Sequence, residues 1–268
     1  MTSLEWLLRR ERGVVAVGLA LLTLLAWWYV WGGAGMGMTA LAMTRIALFP
    51  HLQPEPMPGM MMPAVAWISV LAMWWIMMIA MMTPSAAPLI LLYSRVLRQT
   101  RSSAGATSAY APPFFLAAGY LAAWLGFSAA AATAQFVLMR SGLIWSMNMS
   151  SKSSALSAVV LIGAGAYQLS PLKYACLRQC RTPVEFLTRH FRSGRIGALT
   201  MGARHGLWCV GCCWLLMALL FVGGVMNLVW IAVIAALVLV EKVAPAGFSV
   251  GRIAGVALIV WGIATLAV

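Results

Sequence analysis

Charged side chains are scarce in this sequence, and acidic ones are the scarcest. Only 9% of the 268 residues are charged, and five acidic residues stand against 18 lysines and arginines. Ordinary globular domains carry about 25% charged residues. Hydrophobic residues make up 63% of the chain. Because so few charges could not cover that much apolar surface in water, the composition predicts a protein embedded in lipid.

Motifs for nucleotide use and for hydrolysis are also missing. The sequence has no glycine-rich loop ending in lysine that would bind phosphate. It has no Ser, His and Asp set and no paired carboxylates within an apolar stretch. The net charge of +13 is not gathered into a basic surface interleaved with aromatic residues. We therefore expect neither an enzyme nor a nucleic-acid-binding protein.

Seven stretches are apolar enough to cross a bilayer, whose hydrocarbon core needs about 20 residues of helix. Each should be helical, because lipid offers no partner for open backbone groups. We predict an all-α polytopic transmembrane bundle of about seven spans that forms a single integral membrane domain over residues 1–268. The stretches are 14–31, 64–92, 113–139, 155–169, 207–222, 226–240 and 253–267.

Two features of these stretches limit the prediction. Gly223 and Gly224 alone separate the fifth from the sixth, so residues 207–240 could be two spans or one broken helix. Pro84 and Pro88 are expected to kink or shorten the second span.

The distribution of lysine and arginine predicts the orientation. With the N-terminus inside, 15 of the 18 fall on the cytoplasmic side, and only Arg45, Arg140 and Lys152 fall outside. This predicts a multi-pass protein of a bacterial inner membrane with its C-terminus outside. A methionine-rich loop over 32–63 would then face out, and a basic, cysteine-containing loop over 171–206 would face in.

The strongest local signal lies at the start of the fifth span. At 100° per residue, Cys209 lies about 40° from His205 on one side and Cys212 about 20° on the other, so the three share one helix face, with Cys213 at its edge. Thiolates favour Cu(I) and zinc, and imidazole suits both. The pattern indicates half of a site for a soft metal. The alternative is that cysteine packs here as a small hydrophobe.

Cys176 and Cys180 in the inner loop are four residues apart, so a short helix would present both sulfurs on one side. Structural disulfides are not expected in the cytoplasm. Together with the His205 cluster, this pair would complete a site of three or four ligands. Read alone, the two are equally well explained as interfacial apolar side chains.

Methionine is the second signal, with 19 in the chain. Met73, Met77 and Met81 form a stripe on the second span. Thioethers suit Cu(I) in an oxidising compartment, although methionine also packs well in membrane helices. Outside the stripe, the candidate ligands in the outer loop are His51, Met60, Met61 and Met62.

Two polar residues within the apolar stretches are further candidates. Asn227 lies near the start of the sixth span and Glu241 at its inner end, beside Lys242. Ionisable residues at such depths are candidates for function. Hydrogen bonding between helices, or a pair that reaches the membrane surface, explains them equally well.

Several of these segments resemble a bacterial family of predicted metal-binding integral membrane proteins whose function is not established. The resemblance rests on HGLWCVGCCWLLM (205–217), GVMN (224–227), Trp230 and the Glu241–Lys242 pair, and extends to SPLKYACLRQCRTP (170–183) and AMMTPSAAP (80–88). It covers the chain from about the second span to the sixth. The metal-binding positions that it implies are Cys176, Cys180, His205, Cys209, Cys212 and Cys213.

The sequence therefore leads to two hypotheses. In the first, the protein binds a soft metal within the membrane, Cu(I) before zinc or iron, and transfers or delivers it across the bilayer. In the second, it is an accessory or assembly subunit of a membrane complex such as a copper or haem enzyme. Besides lipid and metal, its partner would be such a complex or a metallochaperone. The metal's identity, the direction of transfer and the oligomeric state stay open.

Overall fold

The computed structural model describes residues 3–35, 39–44, 49, 66–104, 112–145, 149–243 and 250–268. These residues form helices and turns, with a single isolated β-bridge between Ile144 and Ser151 and no strand among them. The all-helical prediction is confirmed. In chain order the helices are α1 (Ser3–Trp31), α2 (Ala40–Met43), α3 (Trp67–Ala104), α4 (Pro113–Arg140), α5 (Ser154–Leu169), α6 (Pro171–Arg181), α7 (Pro183–His190), α8 (Gly194–Ala218), α9 (Leu220–Gly223), α10 (Leu228–Val243) and α11 (Val250–Ala267).

Five of these segments are long and apolar enough to cross a membrane, which is compatible with a membrane protein. A sixth is available if α5 and α6, which meet at 65°, form one bent span. Helix α10 has 16 residues, or about 24 Å at 1.5 Å per residue, less than a hydrocarbon core of about 30 Å. The count of seven and the orientation stay predictions. The five segments are Gly13–Trp31, Trp67–Leu97, Pro113–Arg140, Gly194–Gly223 and Val250–Ala267.

Residues 207–240 form separate helices rather than one broken helix. Helix α8 ends at Ala218, the short α9 follows, and Gly224 adopts a φ of 98° before α10 begins. The Asn227 side chain secures this turn. Its Oδ1 accepts from the N–H groups of Val229 (3.2 Å) and Trp230 (3.4 Å), and its Nδ2 donates to the Gly223 carbonyl (3.1 Å). Asn227 is thus the cap of α10 and lies away from the cysteines in sequence and in role.

Helix α3 continues through both of its prolines, and the kink expected at Pro84 and Pro88 stays a prediction. Beside the first proline, Ser85 Oγ and Tyr120 OH of α4 both donate to the Met82 carbonyl, at 2.8 and 3.1 Å. The carbonyl that Pro84 leaves without its helical N–H partner is that of Ala80, so the contacts with Met82 join α3 to α4 and do not replace the lost bond.

The inner segment 171–206, expected as a loop, is almost entirely helical. Ser170 ends α5 and at once caps α6, accepting from the Lys173 N–H (3.2 Å), with Pro171 in the first helical position. Proline at this position costs no hydrogen bond, so it starts α6 as well as ending α5. Helix α8 begins at Gly194, thirteen residues before the predicted start of the span. Its first three turns carry Arg195 and Arg204. Because these charges interrupt the apolar run, the sequence does not predict the start of this helix.

Helices α4 and α8 pack closely through glycines. A Cβ at Gly202 would collide with the Leu116 carbonyl of α4, and one at Gly206 would lie 2.6 Å from the Ala123 Cβ. Small residues let two helix backbones approach in this way where lipid supplies no hydrophobic drive between helices. The contact fixes the position of α8, and with it His205 and Cys209, against Tyr120.

We expect Gly202→Ala to lower the stability of the protein by about 1–3 kcal/mol, because the added methyl group forces the two backbones apart. Thermal unfolding of the detergent-solubilised protein, followed by circular dichroism, measures the effect. Gly126→Ala on α4 is the matched control, since a Cβ there meets nothing within 4 Å. An equal unfolding midpoint for the two variants would contradict this packing.

Candidate metal centre

Four residues of α8 that the sequence marks as ligands lie on its buried side. His205, Cys209, Cys212 and Cys213 are 3%, 0%, 2% and 1% exposed. Their helical spacing places them over two turns, facing the interior of the helix bundle. All five cysteines of the chain are free thiols. Reduced sulfur is therefore concentrated in one buried region of the protein.

Helix α6 brings a further cysteine to this region. Cys180 faces Cys209 and Cys212 and interacts with both of their side chains. Cys176, one turn earlier on α6, is also buried, but its sulfur lies against Gly211, where a Cβ would be only 3.1 Å away. The fold thus places the two cysteine motifs together, with Cys180 in the centre and Cys176 at its edge.

Cys209 is the hub of the sulfur cluster, which we define as Cys180, Cys209, Cys212 and Cys213. The other three thiols of the cluster all interact with the Cys209 side chain. Cys212 and Cys213 donate their S–H groups to the Cys209 carbonyl oxygen, at 3.1 and 3.0 Å. Tyr120 OH lies 3.0 Å from the Cys209 sulfur. Thiols from two helices and a tyrosine hydroxyl therefore converge on Cys209.

A lysine from α10 completes the surroundings of Cys209. Lys242 Nζ donates to Cys209 Sγ at 2.8 Å and to Ser85 Oγ on α3 at 2.9 Å. Sequence reasoning noticed Lys242 only as the neighbour of Glu241. A basic residue at the end of an apolar helix is normally explained by a side chain that extends to the membrane surface. The sequence therefore shows Lys242 but does not indicate that it faces Cys209.

Glu241 is adjacent to Lys242 in the sequence but has a different partner. Its carboxylate accepts from Lys173 Nζ on α6 at 2.6 Å and from Gln168 Nε2 on α5 at 2.8 Å. Glu241 and Lys173 are 3% and 2% exposed. Arg181 Nε also donates to the Glu241 carbonyl (2.7 Å). Glu241 therefore fastens α6 to α10 and does not contact the sulfur cluster directly.

His205 lies beside the cluster with one nitrogen unsatisfied. Its ring centroid is 5.9 Å from that of Tyr120 and 4.9 Å from that of Phe186 on α7. His205 Nδ1 is buried and has no hydrogen-bond partner in the described part of the chain. Phe186 in turn stacks on His190, with centroids 4.8 Å apart. A buried, unpaired nitrogen near thiols is chemically suited to ligate a metal.

The methionine stripe of α3 also points into the protein. Met73 and Met77 are fully buried and Met81 is 3% exposed. Met78 and Met82 form a second row on another face of α3 and are equally buried. The Met82 carbonyl accepts a hydrogen bond from Tyr120 beside the cluster. His51, Met60, Met61 and Met62 lie outside the described residues.

The cluster is not arranged as a finished coordination shell. Among the described residues, no group of three or more His, Cys, Asp or Glu side chains has the spacing of a metal site. The Cys209 sulfur accepts from Lys242 instead. The donor set nevertheless fits a soft ion, because three thiols and an unpaired imidazole nitrogen of α8 and a fourth thiol from α6 are available in one buried region.

Residues 71–265 match the model of the family PpoB2, described as a copper chaperone. The chain belongs to this copper-chaperone family. The match begins in α3 and ends in α11, so it contains the sulfur cluster, Lys242 and the methionine stripe, while α1 and the outer segment lie outside it. No curated protein and no solved structure matches the chain. The family supports the copper-related role that the sequence indicated.

Proposed function

We propose that this protein binds copper as Cu(I) inside a membrane-embedded helix bundle and transfers it to an acceptor. The observation that carries the proposal is the convergence of cysteines from α6 and α8 on Cys209 in the buried interior. Thiols kept reduced and away from water are the ligands that Cu(I) prefers. The copper-chaperone family supports the choice of metal.

The arrangement of the other sulfur side chains supports a transfer role. The buried methionines of α3 extend along the helix to Met82, whose carbonyl is linked to Cys209 through Tyr120. Thioethers bind Cu(I) more weakly than thiolates do, so an ion could pass from the first to the second. We propose that Met73, Met77 and Met81 line the approach, and that the cluster, with His205, holds the ion.

Cells that express the protein are expected to hold more copper than cells that carry an empty vector, and a Cys209→Ser, Cys212→Ser double variant should lose that excess. Elemental analysis of washed cells, at equal protein levels, measures it. Met217→Leu is the control, because it removes a fully buried sulfur from the same helix outside the cluster. Equal copper in wild-type and double-variant cells would overturn the proposal.

A second candidate, an accessory subunit of a copper enzyme, is favoured by the family's description as a chaperone, which implies an acceptor protein. Purification under mild conditions distinguishes the two. A partner present in fixed ratio, with little bound metal, would support the accessory role. Copper bound to the isolated protein would support the first proposal.

A further inference from the structure

Lys242 has a sulfur as its counter-ion where a carboxylate would be usual. The nearest carboxylate in sequence, Glu241, is taken by Lys173 at 2.6 Å. Among the described residues, no carboxylate lies within ion-pair distance of Lys242. Its ammonium is instead held by Cys209 Sγ and Ser85 Oγ. Lys242 is half-buried, but the Cys209 sulfur that it contacts is fully buried, so the pairing calls for an explanation.

The charged groups near Cys209 form two pairs. Glu241 and Lys173 neutralise each other, which leaves the Lys242 ammonium and the Cys209 sulfur as the charged pair of the centre. When Cu(I) binds to Cys209 and a second cysteine, the second thiol releases its proton, and the dithiolate complex carries a net charge of −1 that the adjacent ammonium cancels. A thiolate sulfur has lone pairs enough to bind a metal and still accept from an ammonium group. Lys242 can therefore stay in place when the metal arrives.

We propose that Lys242 is part of the copper centre, as the fixed counter-charge that stabilises the anionic Cu(I)–dithiolate complex. This inference rests on the proposed function, and it names a residue that does not ligate the metal but determines how tightly the metal is held. The Ser85 hydroxyl accepts the second hydrogen bond of the ammonium, at 2.9 Å. Lys242 and Ser85 belong to α10 and α3, so the cysteine motif of α8 alone does not define the centre.

The test is Cu(I) affinity, measured on the detergent-purified, full-length protein by anaerobic competition with a chromophoric Cu(I) chelator. Lys242→Met keeps the length of the side chain and removes its charge, and we expect it to weaken Cu(I) binding about 10–100-fold, the usual effect of losing an outer-shell partner. Lys242→Arg keeps the charge and should recover most of the affinity. A merely structural role would not predict that recovery.

The control is Lys152→Met, which removes one positive charge at a site where Lys152 lies over Trp145, 4.1 Å from the ring centroid, and should bind Cu(I) like the wild type. Should Lys242→Met fail to fold, Lys242→Gln takes its place. Equal or tighter Cu(I) binding by the uncharged variant would overturn the inference, because it would make Lys242 a competitor of the metal or a bystander. A wild-type protein that binds no Cu(I) would overturn the proposed function itself.

Discussion

Glu241→Gln is expected to lower the free energy of unfolding by about 3–5 kcal/mol, because removal of one partner leaves the other charge buried and unpaired. The affected partner is Lys173, which is 2% exposed and 2.6 Å from the carboxylate. Since Glu241 also joins α10 to α5 through Gln168, the loss extends to three helices. Chemical unfolding of the protein in mixed micelles gives the free energy directly.

Glu185→Gln is the matched control for this change. Glu185 pairs with Arg189 at 2.7 Å, but the two side chains are 34% and 61% exposed. Exposed ion pairs contribute about 0.2–1 kcal/mol, so this variant should stay close to the wild type. A double variant, Lys173→Met with Glu241→Met, should recover much of the stability, because apolar replacements of a buried pair are often tolerated. If Glu241→Gln is as stable as Glu185→Gln, the buried ion pair does not exist as described.

Cys209→Ser is expected to abolish Cu(I) binding by the purified protein. At the least, it should weaken binding by more than the roughly 10–100-fold that the loss of an outer-shell partner causes. The reason is that Tyr120 OH and Lys242 Nζ lie 3.0 and 2.8 Å from the Cys209 sulfur, and the other cluster thiols interact with the same side chain. The same substitution leaves the ammonium of Lys242 without its sulfur. The chelator competition described above measures the affinity.

Comparison of the two α6 cysteines sharpens this prediction. Cys180 interacts with Cys209 and Cys212, so Cys180→Ser should weaken Cu(I) binding clearly, although Cys180 lies on another helix. Cys176 lies against Gly211 at the edge of the cluster, so Cys176→Ser should have the smaller effect. The opposite order would show that the ion is held nearer to α6 than to Cys209.

The helices and one face of the centre could be predicted from the sequence because both depend on local periodicity. Apolar runs mark α1, α3, α4 and α11, and a repeat of 3.6 residues places His205, Cys209 and Cys212 on one side of α8. The joining of Cys180 to Cys209 could only be suggested, because it depends on how α6 docks on α8. Helix α6 is also joined to α10 by the Lys173–Glu241 pair, whose members are 68 residues apart in the sequence.

The role of Lys242 could not be predicted, for a physical reason. Adjacent residues on a helix point about 100° apart. Glu241 and Lys242, which look like one pair in the sequence, therefore face different neighbours, Lys173 and Cys209. Pro84 and Pro88 show the same limit. Their local effect on α3 is known, whereas the hydrogen bond of Tyr120 to the Met82 carbonyl, beside the first proline, belongs to the tertiary structure.

The last turn of α10 has a mechanical consequence. Glu241 anchors α6, which carries Cys180, and Lys242 anchors the charge beside Cys209, yet one peptide bond joins the two residues. A shift or rotation of α10 would therefore disturb both anchors together. The gap between α6 and α8 would widen at the same time as the Cys209 sulfur lost the charge beside it. Under the proposed function, a partner that displaced α10 would therefore weaken the binding of Cu(I) from both sides of the site.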